Sequence, residues 1–261
     1  MAKSNARTIV IINQKGGVSK TTTAVNLAAD LGDTRRVLLV DFDPQRSATS
    51  SIFGNVEFEF SCFDLMFEHA PPEEVIQTSA DFGVDVIPSN IMLSSAELRL
   101  ASMLGRERFL ARCLAKVKPY YDICIIDTPP ALGLLSINAL VAADEVLIPV
   151  CPDYFSLKGV KLLEDTIESV RRNLCARLSL LGVLMTRYKK RIITDSACDA
   201  IAAYFGPKLF KTTIPDNIRI EEAHNAHLPL RKYDARCKAA VAYRELAKEI
   251  ARCPTMTQHR T

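Results

Sequence analysis

Residues 8–31 read TIVIINQKGGVSKTTTAVNLAADL, and this stretch decides the fold. Its first five residues are apolar or β-branched, which favours a strand over residues 8–12. Small and apolar residues recur at helical spacing from Lys20 to Leu31. The loop between them carries two adjacent glycines, Gly16 and Gly17. A strand that enters a glycine-rich loop and then a helix is the local arrangement that binds phosphate through main-chain amides.

The rest of the chain repeats the alternation of apolar strand and helix, which is typical of parallel βαβ units. We therefore predict an α/β fold with a doubly wound, mostly parallel sheet. Strands are predicted at residues 8–12, 37–41, 84–88, 123–127, 145–150 and 180–185, and helices at 20–31, 94–117, 134–143, 157–173 and 234–252.

Length and composition favour one cytoplasmic domain. The chain has 261 residues, of which 48% are hydrophobic and 24% charged, enough to bury a full core. We expect a single domain over residues 1–253 and a polar tail over 254–261. No run reaches the roughly 18 apolar residues that a spanning helix needs, and the start of the chain is unlike a signal peptide.

The eight cysteines are scattered singly, without a C-x-x-C pair. This spacing favours reduced thiols over a zinc site or a disulfide framework. An iron–sulfur cluster that bridges two subunits through Cys124 or Cys151 is the alternative, because both cysteines lie in apolar, strand-like runs.

Positive charge is concentrated in the last third of the chain. Residues 171–261 contain 18 Lys and Arg against 8 Asp and Glu, whereas residues 1–170 contain 15 against 22. An excess of this size attracts polyphosphate, although a solvated surface is the commoner origin of a charge run.

The loop after the first strand supplies the groups that bind a nucleotide. Lys20 is placed to reach the β and γ phosphates, and the Thr21 hydroxyl to bind Mg²⁺. The strict G-x-x-x-x-G-K-[ST] pattern is missed twice, at Gln14 and Ser19. If the backbone at Ser19 takes a positive φ, a residue other than glycine costs roughly 1 kcal/mol, or about fivefold in affinity.

Three acidic residues close two of the predicted strands. Asp41 and Asp43 end one strand, two residues apart and therefore on the same side of the chain, and Asp127 ends another. Carboxylates this close repel each other, which suits a role with metal or water. A helix cap or turn is the simpler interpretation of the same residues.

These motifs resemble the ParA/MinD group of P-loop ATPases, which has a deviant Walker A sequence. Residues 15–22 match its K-G-G-x-x-K-[ST]-T pattern, residues 41–45 its D-x-D-P-Q segment, and residues 126–130 its I-D-T-P-P segment. Similarity to ParA/Soj-type chromosome or plasmid partitioning proteins continues through residues 88–90, 95–97, 138–144 and 214–219, and so covers nearly the whole chain.

The resemblance implies roles for individual residues. Lys15 would reach the partner's phosphate across a dimer, Asp43 would orient the attacking water, and both would be catalytic together with Lys20. Thr21, Asp41 and Asp127 would hold Mg²⁺ and its waters. The nucleotide-binding residues would be Lys15, Gly16, Gly17, Val18, Ser19, Lys20, Thr21 and Thr22, with Pro215 and Asn217 beside the adenine.

The resemblance also implies a reaction cycle. ATP with Mg²⁺ would close a homodimer that binds double-stranded DNA without sequence preference, and a ParB-like centromere-binding partner would stimulate slow hydrolysis. The protein would then be associated with the nucleoid. Asp216 stands where the family commonly has an Arg, which would weaken a DNA or dimer contact. The DNA contacts would come from Arg191, Arg219, Lys232 and Lys248.

Two other functions use the same fold. A MinD-like membrane-cycling ATPase needs an amphipathic C-terminal helix, whereas the tail here is short, polar and interrupted by Pro254, so we expect no stable membrane association. An electron-transferring reductase would need the subunit-bridging cluster considered above.

Overall fold

A computed structural model describes residues 6–152, 156–189 and 192–253, without the side chains of residues 156–158 and 192–196. The predicted DNA contact Arg191 and the predicted tail 254–261 lie outside the described residues. Within the described chain, no helix is both long enough and apolar enough to cross a bilayer.

The centre of the fold is one eight-stranded sheet with the order β3-β4-β2-β5-β1-β6-β7-β8. Neighbouring strands are parallel, except that β3 is antiparallel to β4. The predicted doubly wound, mostly parallel sheet is confirmed. The strands are β1 (Arg7–Ile11), β2 (Val37–Asp41), β3 (Gln77–Ser79), β4 (Val84–Ile87), β5 (Ile123–Asp127), β6 (Glu145–Val150), β7 (Ser179–Tyr188) and β8 (Leu209–Pro215).

Helices cover both faces of the sheet. Short 3₁₀ segments at Ile91–Ser95, Arg106–Arg108, Lys118–Tyr120 and Gly206–Lys208 join some of them. The α-helices are α1 (Lys20–Gly32), α2 (Ser47–Phe53), α3 (Cys62–Phe67), α4 (Pro72–Val75), α5 (Ala96–Ala101), α6 (Phe109–Val117), α7 (Leu134–Ala142), α8 (Ser156–Asn173), α9 (Ile192–Phe205), α10 (Arg219–Asn225), α11 (Leu230–Tyr233) and α12 (Lys238–Arg252).

The central strands are buried because each of their faces packs into a separate core. All five residues of β2 are buried. Leu38 and Val40 belong to one hydrophobic cluster, and Val37 and Leu39 to the other. Successive side chains of a strand point to opposite faces, so a continuous apolar run fills both cores. The polar residue that closes such a run therefore meets the crevice at the carboxyl edge of the sheet.

Strand register brings the closing acids together. Asp41 of β2 lies opposite Asp127 of β5, and Asp127 lies opposite Ile11 at the end of β1. The loop that follows β1 is thereby held beside both carboxylates.

Two predicted helices are shorter in the structure. The helix predicted at residues 94–117 is divided into α5 and α6, because Gly105 takes a φ of +63° between them. The closing helix begins at Lys238 rather than at residue 234, since the Cys237 sulfur caps it by accepting from the Ala240 N–H.

Eight strands and helices were not predicted: β3, β8, α2, α3, α4, α9, α10 and α11. The two strands form the edges of the sheet, where one side of the backbone is unpaired. Alternate residues of β8 are exposed or half-buried, so its sequence lacks the continuous apolar run of the central strands.

Candidate functional site

The phosphate-binding loop spans residues 13–19, between β1 and α1. The Asn13 side chain stabilises the loop through two hydrogen bonds. Its Nδ2 atom donates to the Pro149 carbonyl at 2.8 Å, and its Oδ1 atom accepts from the Lys15 N–H at 3.0 Å. Gln14 donates to the Gly159 carbonyl at 2.9 Å. The loop is thus tied to β6 and to α8, and its shape does not depend on its own sequence alone.

Ser19 takes the left-handed backbone conformation. This is the condition under which a residue other than glycine was predicted to be costly. Its φ is 63° and its ψ is 33°, and it forms the N-cap of α1 without a side-chain capping bond. Serine therefore carries a backbone cost of roughly 1 kcal/mol here that glycine would avoid. The Ser19 carbonyl accepts from Thr23 at 2.9 Å, so this conformation starts the helix.

Lys20 is 7% exposed, at the base of the loop. Its ammonium group donates to the Lys15 carbonyl at 3.2 Å. Burial lowers the pKa of Lys20, and the charges of Asp127 and Asp43 oppose that shift. The ammonium is therefore held between the loop and the acids, where phosphate oxygens would add the anionic partners that it lacks.

Asp127 is fully buried, and neither of its carboxylate oxygens has a well-formed hydrogen bond in the described structure. Burial and the nearby charge of Asp41 raise its pKa well above the ordinary value, and the neighbouring Thr21 hydroxyl opposes this shift only in part. An ionised carboxylate in this position needs a cation or ordered water to be stable.

The residues around Asp127 fit Mg²⁺. This hard cation takes oxygen ligands and usually combines one or two carboxylates with waters and substrate phosphates. The described residues contain no group of three or more His, Cys, Asp or Glu placed to hold a metal by themselves. A site completed by the Thr21 hydroxyl and by nucleotide phosphate agrees with that finding.

Asp41 already accepts three hydrogen bonds from the protein. One oxygen accepts from the N–H and the hydroxyl of Thr49, both at 2.7 Å, and the other accepts from the Asp43 N–H at 3.2 Å. Burial raises the pKa of Asp41 to about 6. Asp41 therefore fixes α2 and the loop before it, as in the simpler interpretation of a helix cap. Its predicted role beside Mg²⁺ stays a prediction.

Asp43 lies at the mouth of this acidic group. It is 6% exposed and accepts from the Gln45 N–H at 2.9 Å, while its carbonyl accepts from the Ser89 hydroxyl at 2.7 Å. These bonds hold the carboxylate at the wall of the cavity above the loop. Asp43 is therefore among the residues that face the cavity.

The cavity above the loop has a volume of about 480 Å³, which suits a nucleotide. Six of its lining residues were predicted as nucleotide-binding from the loop, and Asn217 is a seventh. The lining comprises Gly16, Gly17, Ser19, Lys20, Thr21, Thr22, Asp43, Gln45, Ser47, Ser51, Pro130, Arg187, Asp216, Asn217, Ile220, Glu221 and His224.

Three predicted binding residues do not line this cavity. Val18 is 1% exposed, and its carbonyl accepts from Thr186 at 3.1 Å. Pro215 ends β8 beside the lining residues Asp216 and Asn217. Lys15 is exposed and is not among the lining residues.

Arg187 lines the cavity, although no sequence motif pointed to it as a site residue. It takes a φ of 53°, and its guanidinium donates to the Gly17 carbonyl at 3.3 Å. Asp216 lies 3.6 Å from this guanidinium and 2.5 Å from the Lys189 ammonium. Asp216 thus pairs with cations at the rim of the cavity. No sequence pattern signalled these contacts, because the partners lie 27, 29 or 170 residues apart.

His224 and Ser51 form a second unpredicted pair at the cavity wall. The His224 Nδ1 atom lies 2.7 Å from the Ser51 hydroxyl, and this contact joins α10 to α2.

The predicted DNA contacts within the described residues are exposed and paired with acids. Arg219 lies 2.6 Å from Glu222 and 3.5 Å from Asp234. The other two pairs are Lys232 with Asp81 at 3.2 Å and Lys248 with Glu245 at 2.7 Å.

Comparison with known proteins agrees with this site. A family model described as an AAA domain matches residues 6–180. The Bacillus subtilis sporulation initiation inhibitor protein Soj is 43% identical over 93% of this chain and 97% of its own length. The Treponema pallidum chromosome-partitioning ATPase Soj is 40% identical over 94% of this chain and 96% of its own.

Solved structures show the same architecture. Cobyrinic acid a,c-diamide synthase from Mycobacterium smegmatis, with bound ADP and magnesium, is 32% identical with a TM-score of 0.84, over 97% of this chain and all of that one. A Cyanothece McdA variant in complex with ATP is 27% identical with a TM-score of 0.85, over 98% and 100% of the two chains.

The septum site-determining protein MinD from Pyrococcus horikoshii is 24% identical with a TM-score of 0.77, over 95% of this chain and 96% of its own, and shows the fold alone. The predicted cofactors, ATP and Mg²⁺, agree with the ligands in the first two structures. Together with its phosphate loop and closing acids, these similarities show that the chain belongs to the ParA/Soj-type family of P-loop partitioning ATPases.

Proposed function

We propose that this chain is a Mg²⁺- and ATP-dependent dimerising ATPase that binds DNA without sequence preference. In this proposal it acts in chromosome or plasmid partitioning, and a ParB-like partner stimulates its slow turnover. The observation that carries the proposal is the buried group at the phosphate loop. Lys20 lies between the loop carbonyl and the acids, and both oxygens of Asp127 are without a well-formed hydrogen bond among the described residues.

Each residue of the site would have a separate role in ATP hydrolysis. Phosphoryl transfer needs positioning and charge neutralisation more than covalent chemistry. The loop amides and Lys20 would hold the phosphates, and Asp43 would orient the attacking water. Thr21 and Asp127 would hold Mg²⁺, with Asp41 behind them. When bound, the metal would neutralise charge on the phosphate oxygens.

Lys15 supports the dimeric part of the proposal. Lys15 is exposed, and its N–H is anchored to Asn13. In the dimer that the resemblance implies, its ammonium would reach the phosphate bound by a second subunit. Dimerisation would then depend on the nucleotide.

DNA binding rests on the basic C-terminal third of the chain. Lysine and arginine contacts to phosphate give affinity that falls with salt and carries no sequence information. Arg219, Lys232 and Lys248 are exposed, and each would exchange an acidic partner for a DNA phosphate. Arg191 is proposed with them from sequence alone.

The test is retention of nonspecific duplex DNA by the full-length chain. We expect retention with a nonhydrolysable ATP analogue and Mg²⁺, and little with ADP, because only the triphosphate would close the dimer. Equal retention in both states would contradict the nucleotide-dependent cycle. Sedimentation with liposomes in the same buffers is the companion measurement, and lipid binding without DNA binding would favour a MinD-like cycle instead.

Asp43→Ala tests the assignment of the attacking water. We expect ATP binding to persist while phosphate release falls by on the order of a hundredfold, the usual scale for a positioned acid or base. Calorimetry for binding and phosphate release for turnover separate the two effects. Unchanged hydrolysis would overturn the assignment.

The reductase alternative is disfavoured by the position of its cysteines. Cys124 is fully buried in β5, so it cannot reach a second subunit without unfolding that strand. Cys151 lies against the phosphate loop, with its sulfur 3.8 Å from the Gly17 carbonyl.

A further inference from the structure

A second cavity lies at the amino edge of the sheet, opposite the nucleotide site. It has a volume of about 510 Å³ and is lined by α6, the end of α7 and the turn between α8 and β7. Lys118 precedes β5 and lies at this cavity, whereas Asp127 ends β5 at the nucleotide edge. The two sites are therefore separated by the length of the strand, about 16 Å.

Four cations line this cavity, and no acidic residue is among the lining residues. We call them the basic cavity residues: Arg108, Arg112, Lys118 and Arg177. Asp144, behind the wall, lies 2.8 Å from the Arg177 guanidinium. The net charge is strongly positive even when Asp144 is included.

Lys118 is the informative member because its side chain is 5% exposed. Within the described residues, its ammonium has one counter-ion, Asp144, at 3.8 Å, which is beyond hydrogen-bond distance. That Asp144 oxygen already accepts from the Thr8 N–H at 2.9 Å. A buried ammonium that lines a cavity without a close acceptor is costly unless an anion or water completes it.

Two of the arginines, Arg108 and Arg112, are exposed but make contacts beside the cavity. Arg108 donates to the Leu174 carbonyl at 3.0 Å, and the Arg112 guanidinium lies 4.2 Å from the centre of the Phe109 ring. Neither arginine has a carboxylate within 4 Å among residues of known placement. Both keep donors available for a ligand, since a guanidinium carries five N–H groups.

We propose that this cavity binds a compact phosphate-bearing anion, no larger than a nucleotide. Arginine forks and a lysine point charge are the groups that recognise phosphate. Lys118 lies too deep for the backbone of a DNA duplex to reach, which favours a small ligand. Ala111 and Val141 in the wall would contact its apolar part.

The probe is inorganic pyrophosphate, measured by calorimetry without Mg²⁺. The full-length Lys20→Ala variant is used because it removes the main cation of the nucleotide site. We expect this variant to bind one pyrophosphate. No heat of binding at millimolar pyrophosphate would overturn the proposal, whatever the outcome at the nucleotide site.

Further substitutions in the same background locate the binding. Lys118→Met and Arg112→Gln should each weaken pyrophosphate binding roughly tenfold, the usual effect of losing a charge-assisted bond. Arg112 is exposed, so its replacement tests the site even if Lys118→Met fails to fold. Lys116→Gln is the matched control, since Lys116 is an exposed cation of α6 outside the lining.

The control should keep its affinity within about twofold, because a distant exposed charge contributes little. Equal losses for Lys116→Gln and Arg112→Gln would reduce the effect to general surface charge and overturn the proposal. Loss of duplex DNA retention in Arg112→Gln, in a protein that binds no pyrophosphate, would also overturn it and would assign the arginine to DNA.

Discussion

Charged side chains at the nucleotide edge and on the basic C-terminal surface are satisfied in opposite ways. At the nucleotide edge, Lys20 and Asp127 are buried, and the Asp127 oxygens have no well-formed hydrogen bond among the described residues. On the C-terminal surface, Arg219 and Lys248 are exposed and already paired with acids. Buried charge without partners points to a ligand because its cost is large, whereas exposed pairs cost and contribute little.

Lys20→Ala should have the largest effect, and it tests whether the buried charges at the nucleotide edge serve a ligand. It removes the buried ammonium at the phosphate loop, so we expect ATP affinity to fall by roughly a hundredfold or more. Calorimetry with ATP and Mg²⁺ measures the loss. Lys211→Ala, at an exposed position of β8, is the control and should bind as the parent does. Comparable affinity in the two variants would mean that the buried charge does not serve the nucleotide.

Asp127→Asn tests whether the buried carboxylate at the nucleotide edge is costly, through the pH dependence of protein stability. The folded-state pKa of Asp127 is raised, so its ionised form destabilises the nucleotide-free protein above that pKa. The asparagine variant should therefore be more stable by about 1–2 kcal/mol at alkaline pH, and the gain should shrink as pH falls and the parent carboxylate is protonated. Urea unfolding across pH measures it.

The same variant should lose the effect of Mg²⁺ on nucleotide affinity. A destabilised variant, or one whose stability difference is independent of pH, would show that the Asp127 carboxylate is already satisfied in the folded protein.

Ser19→Gly should have a moderate effect, from backbone conformation alone. Because Ser19 already has a positive φ in the nucleotide-free protein, glycine should raise the free energy of unfolding by about 1 kcal/mol, which urea unfolding measures. Ser19→Ala is the matched control: alanine has the same left-handed penalty and should give no gain. An equal gain for both would assign the effect to the serine hydroxyl.

Paired substitutions on the basic surface should have the smallest effect. Arg219→Gln should weaken retention of duplex DNA about two- to threefold and lower the salt slope by about one. Glu222→Gln removes the acid 2.6 Å from Arg219 and should strengthen retention by a similar factor. Filter binding over a salt series measures both, and if neither differs from the parent, this surface does not contact DNA.

Much of the nucleotide site could be predicted because its signals are local. Residues 8–31 contain strand, loop and helix in order, and Asp41 and Asp127 each close a continuous apolar run. Burial on both sheet faces explains those runs, and the doubly wound order then brings their ends together. The expected backbone cost at Ser19 was also a local signal, since Ser19 stands where the phosphate-loop pattern has glycine.

The sequence by itself determined the parallel sheet, the phosphate loop and the positions of the closing acids, since these follow from period, glycine and strand ends. Only the tertiary structure decided that Arg187 contacts Gly17, that Asp216 pairs with Lys189, and that the Asp127 oxygens lack well-formed hydrogen bonds among the described residues. The edge strands β3 and β8 were also decided at that level. Each of these depends on which distant segments become neighbours, and packing of the whole chain determines that.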